Sequence, residues 1–123
     1  MSSPYTPVIR AGDWLVVSGQ IGLGPEGLAD GFADQLVLIL DNMKHLVEGA
    51  GATLAQVAKT TVFLTDMADY PMMNEIYSGF FAEHADAYRP ARSAICVAGL
   101  PFEAAVEVEA WAMVGSGGVT AAG

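Results

Sequence analysis

The chain has 123 residues, 53% of them hydrophobic, which is enough to bury the core of a single domain. Its 5 Lys and Arg residues are scattered and stand against 14 Asp and Glu, so the net charge is −9 and we expect no nucleic-acid partner. No apolar run reaches the roughly 20 residues of a membrane span, and the first residues lack the basic and apolar regions of a signal peptide. We therefore expect no membrane association and predict a cytoplasmic protein.

The first part of the chain predicts a hairpin, a loop and a helix. Residues 8–10 and 14–21 are rich in β-branched and aromatic side chains, and the turn signal at residues 11–13 lies between them. Residues 22–31 are rich in glycine and indicate a loop. A helix is predicted over Phe32–Gly49, because its apolar residues recur at helical spacing: Leu36, Ile39, Leu40, Met43, Leu46 and Val47.

A third strand and a second helix are predicted next. Residues 57–65 are β-branched and typical of a strand. Asp69 is a candidate N-cap, and Pro71 is tolerated in the first turn of the helix that follows. The predicted apolar stripe of this helix consists of Met72, Ile76, Tyr77, Phe80 and Phe81.

Two further strands complete the predicted domain, one around residues 92–97 and one over residues 105–112, joined at residues 99–103. The order strand, strand, helix, strand, helix, strand, strand predicts an α+β domain with two helices on one face of a mixed sheet. We expect a single domain over residues 1–114 and a flexible tail over residues 115–123.

The last strand has two different sides. Its aliphatic side, which suits the helices, consists of Val106, Val108, Ala110 and Ala112. The other side carries Glu107, Glu109 and Trp111, which is too apolar for open water and too charged for a sealed core. We therefore predict that this side is a subunit interface with clefts in it, and that the chain forms a homo-oligomer.

Arg92 is a cation at the entrance of an apolar strand, so its charge must be paired, solvated or used. If the last two strands form a hairpin, Cys96 lies opposite Glu107, and Arg92 lies four residues further along, about 13 Å away. That separation favours a site built across subunits. The alternative is that Arg92 and Glu107 form an interfacial salt bridge.

Other chemistry has weaker support. His45 and His84 lie late in the two helices, so neither is placed to activate Cys96, which we expect to be buried and inert. One cysteine and two separated histidines have no metal-ligand spacing, and the glycines near residue 20 match no nucleotide-binding motif. We expect no metal and no cofactor.

Several segments together resemble the Rid/YjgF family of reactive-intermediate (enamine/imine) deaminases. Singly each is a weak match, but their order and spacing are specific, and they span the chain from Pro4 to Ala112. They are Val-Ser-Gly-Gln-Ile at residues 17–21, the strand at residues 57–67, Asn-Glu-Ile-Tyr at residues 74–77, Pro-Ala-Arg-Ser at residues 90–93 and Val-Glu-Val-Glu-Ala at residues 106–110.

The resemblance implies a chorismate-mutase-like fold in a barrel-like homotrimer with three clefts between subunits. Arg92 then holds the substrate carboxylate, and Glu107 positions or activates the attacking water. The family's pocket-lining positions correspond to Tyr5, Ser18 and Asn74. Two further substrate contacts are expected from Gly19 and from the backbone carbonyl of Ala94.

The implied reaction is cofactor-free hydrolysis of 2-imino acids, of the 2-aminoacrylate type, to 2-keto acids and ammonia. The implied ligand is a small imine, enamine or keto acid that bears a carboxylate. Ala94 stands where the best-known members have cysteine, Gly22 replaces a common proline, and residues 101–103 lack the usual lysine, which leaves the substrate side chain open. The alternatives are a deaminase dedicated to one pathway, of the aminomuconate or aminoacrylate type, and a non-catalytic trimer that binds small carboxylates.

Overall fold

The structure is a computed structural model that describes residues 3–115 and 118–122. In chain order the elements are β1 (Val8–Ala11), β2 (Trp14–Gln20), β3 (Leu23–Gly24), β4 (Gly27–Leu28), α1 (Phe32–Gly49), β5 (Val57–Leu64), α2 (Tyr70–His84), β6 (Ala91–Cys96) and β7 (Val106–Met113). Five strands form one sheet in the order β1-β2-β7-β5-β6. Strands β5 and β6 are parallel, and the other neighbours are antiparallel. The predicted α+β fold, a mixed sheet with two helices on one face, is confirmed.

Helix α1 has the bounds that its periodicity predicts. Its core-facing residues Leu36, Ile39 and Leu40 are fully buried against the sheet, together with Val108 and Ala110 of β7. After the helix, Gly51 adopts a positive φ of 92°, and the Ala52 N–H donates to the Val47 carbonyl at 2.9 Å. Glycine adopts this left-handed conformation without steric cost, which is why the helix ends here.

Helix α2 also forms where it is predicted, but its buried stripe is shifted. Met73, Tyr77 and Phe81 are buried at a spacing of four residues, whereas Met72, predicted as part of the stripe, is exposed on the outer side. Residue 72 lies about 100° around the helix from residue 73, so only one of the two can face the core. Asp69 occupies the N-cap position, although its side chain makes no capping hydrogen bond.

The predicted loop over residues 22–31 contains a short hairpin of β3 and β4. The predicted pairing of the last two strands is wrong. Strand β5 lies between β6 and β7, so that Cys96 pairs with Leu64 and Glu107 pairs with Phe63. Helix α2 provides the long crossover that a parallel β5–β6 pair requires, and the chain then passes the end of β5 to form β7 on its other side.

The face of the sheet opposite the helices is open. It exposes 49% of Ile9, 46% of Ile95 and 43% of Trp111, and the Trp14 and Trp111 rings meet edge to face at 6.0 Å. Glu107 and Glu109 lie on this face, as predicted, while Val106, Val108, Ala110 and Ala112 are buried beneath the helices.

None of the helices in residues 3–115 and 118–122 is both long and apolar enough to cross a membrane. The predicted tail lies partly outside the described residues, at positions 116, 117 and 123; residues 118–122 form no helix or strand. The domain boundary at residue 114 stays a prediction.

Candidate functional site

Arg92 lies on edge strand β6, on the side of the sheet that faces α2. Its Nη2 donates to Asn74 Oδ1 at 2.7 Å, and Nη1 lies 3.2 Å from the sulfur of Met73. The guanidinium carbon is 5.8 Å from the Tyr70 ring centre and 5.0 Å from that of Tyr77. The charge is therefore held by an amide oxygen, a thioether and two aromatic rings, all of them neutral.

A buried hydrogen bond between β5 and α2 holds one of the aromatic rings that contact Arg92. The hydroxyls of Tyr77 and Thr60 lie 2.7 Å apart, and Thr60 pairs with Arg92 across the β5–β6 ladder. Burial raises the pKa of Tyr77, while the Thr60 bond and the Arg92 charge act to lower it. Burial and the Thr60 hydrogen bond thus hold the Tyr77 ring in place, which in turn limits where the Arg92 head group can lie.

Arg92 opens into a cavity of about 480 Å³, which we call the Arg92 cavity; it is lined by Asn74, Tyr77, Ser78, Arg89, Pro90 and Arg92. Its volume falls in the range of small-molecule sites. Two lining residues are cationic and none is acidic. Within the described chain, neither guanidinium lies within ion-pair distance of a carboxylate. The cavity is therefore suited to a small anion.

Glu107 lies on the open face of the sheet, against Gly19 of β2. A Cβ at Gly19 would lie 2.8 Å from the Glu107 carboxyl carbon, so a side chain at position 19 would displace the carboxylate. Burial raises the pKa of Glu107, and the neighbouring Glu109 raises it further. This combination of partial burial and like charge is one that active sites use to prepare a carboxylate for proton transfer.

Arg92 and Glu107 lie on opposite faces of the sheet. Arg92 is in register with Thr60 and Ala110 on the helix side, whereas Glu107 is in register with Phe63 and Ile95 on the open side. They are also about 10 Å apart along the strands and about 10 Å apart across them. A salt bridge between them within one chain is excluded by this geometry, and one small ligand cannot contact both side chains of the same chain.

The other predicted site residues divide between these places. Ser18 precedes Gly19, and its hydroxyl donates to the Thr6 carbonyl at 2.6 Å. Asn74 contacts Arg92 directly, and Ala94 follows on the same side of β6, paired with Val62. Tyr5 is 57% exposed and lines a separate cleft with Gln20 and His45. The structure thus joins Arg92 with Asn74 and Glu107 with Gly19, and leaves Tyr5 apart from both.

Sequence reasoning missed the aromatic residues around Arg92. Tyr70, Met73, Asn74 and Tyr77 are spaced at i, i+3, i+4 and i+7, which places them on one face of α2. That spacing is visible in the sequence. The same spacing predicts core packing as readily as it predicts a cation site. Only the parallel pairing of β5 with β6 brings Arg92 beneath this face of α2.

Cys96 does not have the buried position that the sequence predicts. It is the last residue of edge strand β6, and it is exposed. Over the part of the chain that the structure describes, no cluster of three His, Cys, Asp or Glu side chains is placed to hold a metal ion.

Comparisons with known proteins agree with this architecture. The family model described as Endoribonuclease L-PSP matches residues 1–114. The 2-iminobutanoate/2-iminopropanoate deaminase of Escherichia coli strain K12 is 42% identical over 113 residues, which cover 89% of this chain and 87% of that protein. A RutC family protein of Pyrococcus horikoshii is 40% identical over 110 residues, covering 87% of this chain and 84% of that protein.

Solved structures of similar sequence have the same fold. The structure of the YjgF gene product from E. coli matches with a TM-score of 0.84 at 39% identity, covering 89% of this chain and 87% of that one. E. coli TdcF with bound serine matches with a TM-score of 0.86 at 37% identity, covering 92% and 90% of the two chains. With a family model that spans residues 1–114 and relatives near 40% identity, the chain belongs to the Endoribonuclease L-PSP family, also known as the Rid/YjgF family.

Proposed function

We propose that this protein hydrolyses small 2-imino acids to 2-keto acids and ammonia, in a cleft that two copies of the chain complete. The observation that carries the proposal is the Arg92 guanidinium, which is held by neutral groups and faces a cavity with no acidic lining. The 42% identical E. coli relative, named as a deaminase of 2-iminobutanoate and 2-iminopropanoate, supports the same reaction class.

Arg92 binds the substrate carboxylate. A guanidinium presents two parallel N–H donors that match the two oxygens of a carboxylate. Asn74 and the rings of Tyr70 and Tyr77 orient this head group without neutralising it, because none of them carries a negative charge. The full positive charge therefore remains for the ligand.

Glu107 positions a water molecule and transfers protons. The water oxygen adds to C2 of the imine, the C–N bond then breaks, and the nitrogen leaves as ammonia while C2 becomes a ketone. This sequence requires both protons of the water to leave its oxygen, one as it adds to C2 and one as the ketone forms, and two protons to reach the nitrogen. A carboxyl group whose pKa is raised by burial and by Glu109 is a stronger base than a free glutamate, which suits this exchange.

The cleft is shared between copies in a homotrimer. Since Arg92 and Glu107 lie on opposite faces of one sheet, a substrate that meets both must meet residues of two chains. The open face supplies the apolar surface for association through Ile9, Ile95 and Trp111. RNA cleavage, the activity in the family's descriptive name, has less support, because a chain with net charge −9 repels phosphates.

The test is diversion of imino acids. An amino-acid oxidase generates 2-iminobutanoate in the presence of semicarbazide, which traps the imine, and the protein is added in increasing amounts. We expect the wild type to convert the imine to 2-oxobutanoate before it is trapped, and Arg92→Ala to lose at least about tenfold in this rate, as for a lost charge-assisted bidentate contact.

Two results would contradict the proposal: no diversion of any imino acid by the wild type, or equal diversion by wild type and Arg92→Ala. Binding of 2-oxobutanoate without turnover would favour the alternative, a trimer that senses small carboxylates. Turnover confined to an aminomuconate or aminoacrylate substrate would favour a deaminase dedicated to one pathway.

A further inference from the structure

Arg89 lines the Arg92 cavity together with Arg92 and is a second cationic residue there. The chain has only five Lys and Arg residues against 14 Asp and Glu, so two of its five cations line one cavity. In the part of the chain that the structure describes, the ion pairs involve Lys44, His45 and His84, and neither Arg89 nor Arg92 takes part. Arg10 and Lys59 have no ion pair there either, so what distinguishes Arg89 and Arg92 is that they line the same cavity.

The backbone holds Arg89 beside the cavity. Arg89 immediately precedes Pro90, which is buried, and a residue before proline is restricted to extended conformations. Along an extended chain, Arg89 and Arg92 are separated by about 10 Å between Cα atoms. Arginine side chains are long enough to bring both head groups to a single ligand from this distance.

We propose that the cavity selects 2-imino acids whose side chain ends in a second carboxylate. Arg92 binds the carboxylate next to the imine, and Arg89 binds the one at the end of the side chain. This inference rests on the proposed function and specifies its substrate class. A dianion approaching a protein of net charge −9 is repelled, so the site requires a second local cation to bind it better than a monoanion.

Two stable keto acids probe the inference, since each is the product of the corresponding imine. Titration calorimetry compares 2-oxoglutarate, a dicarboxylate, with 2-oxobutanoate, a monocarboxylate. We expect the wild-type protein to bind 2-oxoglutarate about tenfold more tightly, as for one additional charge-assisted contact. Arg89 is exposed, so this preference should shrink in 0.5 M NaCl, where the Debye length is only about 4 Å.

The variant Arg89→Gln tests the assignment. We expect it to weaken 2-oxoglutarate binding about tenfold more than it weakens 2-oxobutanoate binding. Arg10→Gln is the matched control, because it removes the same charge from strand β1, which forms the edge of the sheet opposite to β6. It should leave the ratio of the two affinities unchanged.

The inference is overturned if the wild type shows no preference for 2-oxoglutarate, or if Arg89→Gln and Arg10→Gln change the affinity ratio equally. Failure of the inference differs from failure of the proposed function. A protein that diverts 2-iminobutanoate but binds both keto acids equally keeps the function and loses the dicarboxylate preference. A protein that neither diverts an imine nor binds either keto acid loses both.

Discussion

At the scale of single residues, the two charges assigned to catalysis have different surroundings. Arg92 is stabilised as an ion by Asn74 and by two aromatic rings. Glu107 is destabilised as an ion by burial and by the nearby Glu109, so its pKa is raised. In the proposed reaction, Arg92 is the permanent cation that binds the substrate and Glu107 is a carboxylate of raised basicity that transfers protons.

The raised pKa of Glu107 has a consequence for stability. Its folded-state pKa lies above its unfolded value, so folding favours the neutral form and the ionised form costs stability once the pH rises through the folded pKa. We expect Glu107→Gln to melt at a higher temperature than wild type at pH 8, with a difference that shrinks toward pH 4. Thermal melts at constant protein concentration measure this.

The matched control for that series is Glu26→Gln, which makes the same replacement at an exposed position between β3 and β4. Its melting temperature relative to wild type should vary less with pH. A difference for Glu107→Gln that grows as the pH falls would contradict the sign of the shift.

At the scale of elements, local periodicity predicts the helices well and the strand pairing poorly. Helix α1 could be predicted to the residue, because its apolar spacing and the glycines after it are encoded locally. The strand that pairs with β6 could not be predicted. Its alternation is the same whether it pairs with β7 or with β5, and the choice depends on a crossover through α2 that no local pattern encodes.

The site follows the same rule. Arg92 and Glu107 stand out in the sequence as charges on apolar strands, and the resemblance assigns their roles. Of the neighbours of Arg92 on α2, only Asn74 was assigned, through the resemblance; Tyr70, Met73 and Tyr77 could not be, because they touch Arg92 only after β6 pairs with β5. The aliphatic and charged sides of β7 were predictable from alternation alone.

Two glycines give a test of element stability. Gly79 is exposed within α2, and a Cβ there meets nothing within 4 Å; Gly51 has the same open space but a φ of +92°. We expect Gly79→Ala to raise the free energy of unfolding by about 0.5–1 kcal/mol. Gly51→Ala should lower it by about 1 kcal/mol, because alanine is strained at a positive φ. Urea unfolding measures both, and a shift of the same sign in both variants would contradict the backbone argument.

At the scale of the whole molecule, helices cover one face of the sheet and leave the other open. The central strand of the sheet is β7, and it places Trp111 on the open face, against Trp14. An aromatic pair on a face that also carries aliphatic side chains, Lys59, Glu107 and Glu109 is typical of an interface core with polar clefts.

Association through this face can be tested by introducing a charge. We expect Trp111→Glu to dissociate the assembly, because it replaces an aromatic ring at the interface with a carboxylate that is costly to bury, even opposite Lys59 on β5. Val37→Glu is the control: Val37 is 53% exposed on α1, on the helical side of the molecule. Sedimentation velocity should give a smaller species for Trp111→Glu than for Val37→Glu and the wild type. Equal sizes for all three proteins would exclude the open face as the interface.

Under the proposed function, the placement of Arg92 and Glu107 on opposite faces predicts that a variant lacking one of them complements a variant lacking the other. When Arg92→Ala and Glu107→Ala are unfolded together and reassembled in equal amounts, a cleft is intact wherever one chain contributes the arginine and its neighbour the glutamate. Random mixing makes about a quarter of the clefts intact in a cyclic assembly. We expect about that fraction of wild-type turnover from the mixture and almost none from either variant alone, whereas a site contained in one chain would give no recovery.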